Sequence, residues 1–366
     1  MYKTWVEIDK KAIASNVGFF RSLIGPKTKL WAVVKSNAYG HGLFVFSKLA
    51  DEFGVDGFCV DSVIEGLALR DAGIKKPILV LGPTLDSALY GQAERKKITV
   101  TISSVEALQN LISISKRPEF HIKIDTGMHR QGFLMSEIGE LIKRIKNKEV
   151  RSKNALTGIY THFAAPSDKA FTQMQYEAFK KAIAKFEEAG FINLVCHAAA
   201  TGGVLADTRY CFDAVRVGAG LYGFSAPANK NSVYTLEPVL SWRSVVSEIK
   251  NISRGEGVGY DYSWRAKQDS RIAIVPIGYW HGFPRGLSNV GSLLINGKIA
   301  RVVGNVSMDM LTIDVTDIPV KILDEVTLIG KDGDATRTAE EIAQELNTVS
   351  YEILTRLNPL MERVVV

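Results

Sequence analysis

The stretch "KLWAVVKSNAYGHG" occupies residues 29–42, and the reading of the whole chain turns on it. Its first part, from Leu30 to Val34, is apolar and β-branched, too short for a core helix and typical of a buried strand. Lys35 then stands at the carboxyl end of that strand. Asn37, Gly40 and Gly42 follow, residues that permit tight turns and close approach of backbone to a ligand, before "LFVFSKLADEFG" resumes at helical spacing. A lysine in such a loop is ordinarily solvated. One held out of water has an amine able to attack a carbonyl and form a Schiff base.

Strand-like runs recur along the chain, beginning near Lys29, Gly57, Pro77, Ile98, Phe120, Ala155, Asn193 and Ala214. Between them, "SVIEGLALRDAG", "SSVEALQNLISIS", "SEIGELIKRIKN" and "FTQMQYEAFKKAIAKFEEAG" carry helical periodicity, several opening on a Ser or Thr cap. Eight alternating units describe an α/β fold, a (β/α)8 TIM-type barrel, whose catalytic groups sit at the carboxyl ends of its strands. Lys35 is at such an end. After "APANKNS" (226–232), a linker-like stretch, the pattern turns to strands: "IAIVPIGY", "LLINGKIARVV" with an Asn296-Gly297 hairpin turn, "MLTIDV" and "DEVTLIG". One short helix, "TAEEIAQELN", opens with a capping box from Thr338 to Glu341. The expected domains are therefore a barrel over 1–232 and a β-rich domain over 233–366, which the first strand, Thr4 to Ile8, is free to join.

The 366 residues are 46% hydrophobic, enough for a large core. A formal charge of +6 is mild at this length, and the basic runs "ERKK" and "KRIKNK" lack interleaved aromatics, so nucleic acid is not an expected partner. Cys59, Cys196 and Cys211 are odd in number and show no CxxC spacing, which argues against a disulfide framework or a metal site. No apolar h-region opens the chain and no run is long enough to span a bilayer, so the expectation is a cytoplasmic protein without a membrane partner.

The segment "VGAGLYG" (217–223) contains GxGxxG, with Glu237 downstream. A dinucleotide fold would need a helix and another strand next, yet "FSAPANKNSVYTLEP" holds Pro227 and Pro238 and has no helical period. Gly218 and Gly220 at the end of the eighth barrel strand instead expose backbone N–H groups to a phosphate, as barrels commonly do there. The seventh strand ends "CHAAATGGVL", where Thr201 and Gly202 at a helix N-terminus would serve the same anion. A Schiff-base lysine and a phosphate cradle together describe a pyridoxal phosphate site.

Taken in order, "AVVKSNAYGHG", "HIKIDTGMHR", "THFA", "VRVGAGLYG", "GEGVGY", "NVSMD" and "SYEILTR" resemble the alanine racemase family over nearly the whole chain. The resemblance implies a fold-type III pyridoxal phosphate enzyme. It would act on a small amino acid as a head-to-tail homodimer with shared sites, and supply D-alanine for peptidoglycan. Lys35 matches the lysine that carries the cofactor and acts as one base, and Tyr260 the opposing base, given in the family from the partner subunit. Tyr39, Thr201, Gly218 and Tyr351 fall where the family binds phosphate, Thr201 in place of the commoner serine. Arg216 matches the residue facing the pyridine nitrogen, and His162 the histidine between it and the tyrosine base. Arg130 and Met308 match positions near the cofactor phenolate and the substrate carboxylate, and Tyr279 lies at the substrate entrance. Two departures are Asp261, where the family has glycine, and His281, where it has aspartate.

Racemisation takes the α-proton from one face and returns it to the other, so two bases must flank the substrate. Lys35 suits one face. On the other a tyrosine acts as its phenolate, which nearby His162 and Arg216 could stabilise. Arg216 stays charged and disfavours a proton on the ring nitrogen, whereas decarboxylases of this fold place a carboxylate there. Blander readings exist for each: His162 as a satisfied core histidine, Tyr260 and Tyr262 as packing aromatics, Arg216 as an ion-pair partner of Asp213 or Asp207. Among rival functions, a small pyridoxal phosphate carrier would lack the second domain, Arg216 argues against a decarboxylase, and a racemase of serine or of broader range stays open.

In "FHIKIDTG" (120–127), alternation puts His121, Lys123 and Asp125 on one face and Ile122 and Ile124 on the other. If the polar face points into the barrel, Lys123 lies near Arg130 and needs an anion. The family often carbamylates the matching lysine; the alternative is neutralisation by Asp125.

Overall fold

The computed structural model describes residues 2–146, 156–224 and 235–366. The linker at 226–232 and the boundary expected at 232/233 lie outside them. Two compact units are present, one of Lys11–Ser36 with Phe46–Pro238, the other of Met1–Lys10, Asn37–Val45 and Val239–Val366.

The first unit is a closed barrel. Its strands are β2 (Lys29–Val33), β3 (Gly57–Val60), β4 (Ile78–Pro83), β5 (Thr99–Ile102), β6 (Phe120–Asp125), β7 (Leu156–Tyr160), β8 (Val195–Ala200) and β9 (Ala214–Val217). They pair in the order β5-β4-β3-β2-β9-β8-β7-β6, and β6 closes back on β5. Every one of these pairings is parallel, so both faces of each strand are covered. The β6 strand illustrates the consequence: all six of its residues are buried. Ile122 and Ile124 are fully buried, while His121 and Lys123 fill the interior with polar groups. Gly158 on β7 makes room for them, since a Cβ there would sit 2.5 Å from the His121 imidazole.

In the second unit the strand Thr4–Ile8 (β1) runs antiparallel to Leu240–Val245 and parallel to Glu362–Val365. Ser292–Ile295 and Lys298–Arg301 form the expected hairpin, with Asn296 and Gly297 both at positive φ. Thr338 caps the helix Ala339–Glu345 reciprocally with Glu341.

The segment after β2 departs from the turn-rich loop expected of it. Ser36, Asn37, Ala38 and Tyr39 all have φ between +51 and +55°, one turn of left-handed helix. Each such residue costs roughly 1–2 kcal/mol, so the surroundings must hold the turn in place. The Leu43 amide donates to Oδ1 of Asn37 at 2.8 Å, and Nη2 of Arg363 donates to the Gly40 carbonyl at 3.0 Å. At Gly40 a Cβ would collide with the Leu354 carbonyl, so only glycine closes this turn.

Candidate active site

Lys35 leaves the carboxyl end of β2 half-buried, and its Nζ lies 3.3 Å from Oδ1 of Asp61, just past the end of the neighbouring strand β3. Glu65 fixes both loops. Its Oε1 accepts the Ser36 N–H at 2.7 Å and its Oε2 the Asp61 N–H at 2.7 Å. Glu65 can do so because it is the third residue of the helix Val63–Asp71, closing a capping box with Ser62.

Arg216, on β9, is 2% exposed and enclosed by neutral partners. Its Nη2 donates to the carbonyls of Thr161 at 2.8 Å and Ala198 at 2.9 Å and approaches Nδ1 of His162 at 3.3 Å, while Nη1 donates to Nδ1 of His197 at 2.5 Å. A guanidinium only donates, so His197 carries its proton on Nε2 and passes a 2.8 Å hydrogen bond to Nδ1 of His121. Burial, then the Arg216 charge, holds both imidazoles neutral, His121 at a pKa of about 3 and His197 well below the ordinary histidine value. His162 is likewise pushed well below by burial and then by Arg216. The aspartates considered as partners are engaged elsewhere: Asp213 accepts the Cys196 amide, and Asp207 pairs with Arg209.

Lys123 is 4% exposed, its ammonium 5.2 Å from the Tyr160 ring centroid, and Arg216 lies over the same ring at 5.0 Å. Burial lowers its pKa to about 7, with Arg216 and Arg130 adding to the shift and Asp125 opposing it. Asp125 does not pair with it. One of its carboxylate oxygens accepts the amides of Gly127, Met128 and His129, which outweigh the upward push of burial and hold this carboxyl below its usual range. Among the described residues its ion-pair partner is His129, at 3.7 Å.

Two helical turns start side by side after β8 and β9, Thr201–Ala206 and Ala219–Tyr222, the latter preceded by Gly218. Neither has a side-chain cap. Thr201 Oγ1 accepts the Gly220 amide at 3.1 Å and ties the two together. Gly218 is followed, among the described residues, by the short turn Ala219–Tyr222.

Arg130 lies exposed in the barrel unit, in the loop after β6, and the other candidates belong to the second unit. The rings of Tyr39 and Tyr351 meet edge to face at 5.8 Å. Tyr260 is 71% exposed, and Tyr262, Tyr279, Trp280, Met308 and Met310 are exposed with it. The Tyr279 and Trp280 amides donate to the carbonyls of Ser307 and Met308, and the Asn305 side-chain amide donates to the Tyr260 carbonyl, holding these loops together. His281 is buried, its Nδ1 accepting the Gly278 amide at 3.2 Å, while Asp261 sits at φ +61° beside Asn305.

Asp61, Glu65, Tyr160 and His197 were not singled out from sequence. His197 was within reach, because the two-residue period of "CHAAAT" puts it on the same interior face as Thr201. Asp61 required the pairing of β2 with β3.

A parallel barrel with a lysine just past one strand's end, two uncapped turns after its last two strands and a β-rich second unit is the arrangement of a barrel enzyme with its polar groups at the carboxyl ends of the strands. Family profiles narrow it: the alanine racemase N-terminal domain matches residues 8–226 and its C-terminal domain residues 239–365. The chain belongs to the alanine racemase family, whose members are isomerases. It is 34% identical to the alanine racemase of Leptospira interrogans, covering 100% of this chain and 96% of that one, and 37% identical to that of Methanococcus maripaludis, covering 98% of each. Among solved structures it resembles Bacillus anthracis alanine racemase with bound L-Ala-P, at TM-score 0.94 and 33% identity over 100% of this chain and 96% of that one. It also resembles Bartonella henselae alanine racemase with covalently bound pyridoxal phosphate, at TM-score 0.87 and 28% identity over 100% of both chains.

Proposed function

We propose that this protein interconverts L- and D-alanine, using pyridoxal phosphate carried on Lys35 and two bases, Lys35 and Tyr260. The observation that carries this reading is Arg216: a permanent cation with only neutral partners, on the strand next to the one that ends in Lys35. A decarboxylase would need a carboxylate in that place.

The residues fit the cofactor. The uncapped turns at Thr201 and Gly218 leave amide donors for a phosphate, and Thr201 Oγ1, having accepted from Gly220, keeps its own proton to donate. By the family resemblance, Tyr39 and Tyr351, whose rings meet at 5.8 Å, would bind the phosphate as well. Pyridoxal phosphate, when bound, supplies an electron sink that acidifies the α-C–H of an attached amino acid. Everything else falls to the chain. Lys35 takes or returns the proton on one face and Tyr260 on the other. Arg216 cannot release a proton at working pH and repels one from a ring nitrogen it faces. His162, 3.3 Å from Arg216, transmits that positive charge toward the tyrosine base. Arg130 and Met308 border the substrate carboxylate, and Tyr279 the way in.

Tyr260 would come from a second copy, in a homodimer with shared sites. Its 71% exposure, with Tyr262, Tyr279, Trp280, Met308 and Met310 also exposed in the same unit, supports an interface there. D-Alanine made in the cytoplasm would serve peptidoglycan synthesis; among the described residues no helix is long and apolar enough to cross a membrane. Lys123 is assigned as a carbamylated lysine: amine and CO2 give a carbamate and a proton, and the new anion answers Arg216 and Arg130.

Borohydride reduction followed by peptide mapping tests the reading. The reduced cofactor is expected on Lys35, and Lys35→Ala should lose both the adduct and nearly all racemase activity. Reduced cofactor on another lysine overturns it.

A further inference from the structure

The Lys35–Asp61 pair has a use in the proposed reaction. Register places Val33 opposite Cys59 on the adjacent strands β2 and β3, so Lys35 and Asp61, each two residues further on, stand side by side at one height. An exposed ion pair contributes about 0–1 kcal/mol because two side chains must be immobilised for one contact. Here part of that ordering is built into the backbone. The Asp61 N–H is fixed to Glu65 and its carbonyl accepts the Gly82 N–H at 3.0 Å, while the other Glu65 oxygen fixes the residue after Lys35. One carboxylate therefore sets the spacing of both loops.

We propose that Asp61 is a positioning residue for the catalytic lysine: its carboxylate, 3.3 Å from Nζ, holds the Lys35 amine in place at the mouth of the barrel whenever that amine is not covalently engaged. This rests on Lys35 being the cofactor-bearing base. A lysine that takes an α-proton becomes an ammonium, and a carboxylate at hydrogen-bond distance fixes where that ammonium points. The proton moves between substrate carbon and Lys35 only, and Asp61 keeps the ammonium turned toward the mouth of the barrel, ready to give the proton back.

The test uses Asp61→Asn, which keeps the main-chain contacts of residue 61. In cofactor-free protein at a fixed, mildly alkaline pH, an amine-specific acylating reagent reports how freely the Lys35 amine is released from its ion pair, with Lys48 as an internal reference. Acylation of Lys35 should be on the order of threefold faster in the variant, the pair being partly solvent-screened. In the holoenzyme, α-deuterated alanine should give a larger isotope effect in the variant for the enantiomer that Lys35 deprotonates, and an unchanged one for its mirror image. Equal acylation rates, or isotope effects that change alike for both enantiomers, overturn the proposal. Borohydride mapping of the wild type separates the failures. An adduct on Lys35 with no Asp61 effect removes this inference alone, and an adduct elsewhere removes the function with it.

Discussion

Replacing Lys123 by Met tests the barrel interior directly, because methionine keeps most of the side chain's length while removing its amine. The wild-type amine is pushed down to about 7 by burial and by the Arg216 and Arg130 charges. At pH 7 a substantial part of it is then neutral, whereas an ordinary lysine is almost wholly protonated, so the population able to attack CO2 rises by orders of magnitude. The same shift has a stability consequence. In CO2-free buffer, between about pH 7 and 10.5, the unfolded chain binds a proton that the folded chain does not, so stability rises with pH across that window. The rise is on the order of 5 kcal/mol, from about 3.5 units at about 1.4 kcal/mol each. Carbon-13 NMR of protein equilibrated with labelled bicarbonate should show one slow-exchanging carbamate in the wild type and none in Lys123→Met. Denaturant titrations in CO2-free buffer should show the upward slope in the wild type and its loss in the variant. Equal carbamate signals, or parallel stability profiles, would refute the reasoning.

Mixing inactive Lys35→Ala and Tyr260→Phe subunits should restore activity through one intact site per heterodimer, and no recovery after verified subunit exchange would count against a shared site. Arg216→Lys should destabilise the fold by about 3–5 kcal/mol in denaturant melts, since a single ammonium cannot satisfy the two carbonyls and the His197 nitrogen that the guanidinium reaches. Gly158→Ala should cost about 1–3 kcal/mol, because its Cβ would meet the His121 ring in a filled barrel; a neutral result would mean the His121–His197 pair is looser than described.

The barrel was legible because most of its strands are short apolar runs followed by a periodic helix, and that pattern survives in one dimension. Lys35 and Arg216 were legible through their places at or near the ends of such runs and through the family resemblance. Asp61 was not, since nothing in "VDSVIEG" distinguishes an aspartate facing a lysine from a solvated one before β3 is paired with β2. The His121–His197 hydrogen bond joins residues 76 apart and needs the closed barrel. The left-handed turn at Ser36–Tyr39 was hidden for another reason. Of those residues only Asn37 tolerates that conformation readily, and the turn is imposed by tertiary contacts against local preference.

The most direct measurement is to incubate the purified, cofactor-loaded protein with L-alanine in deuterated water and to separate the enantiomers by chiral chromatography with mass detection. The account predicts that D-alanine accumulates to parity with the L form, carrying deuterium at the α-carbon, and that Lys35→Ala and Tyr260→Phe each abolish this. L-Alanine left unconverted by wild-type protein that carries its cofactor, or D-alanine formed at the same rate without Lys35, would contradict it.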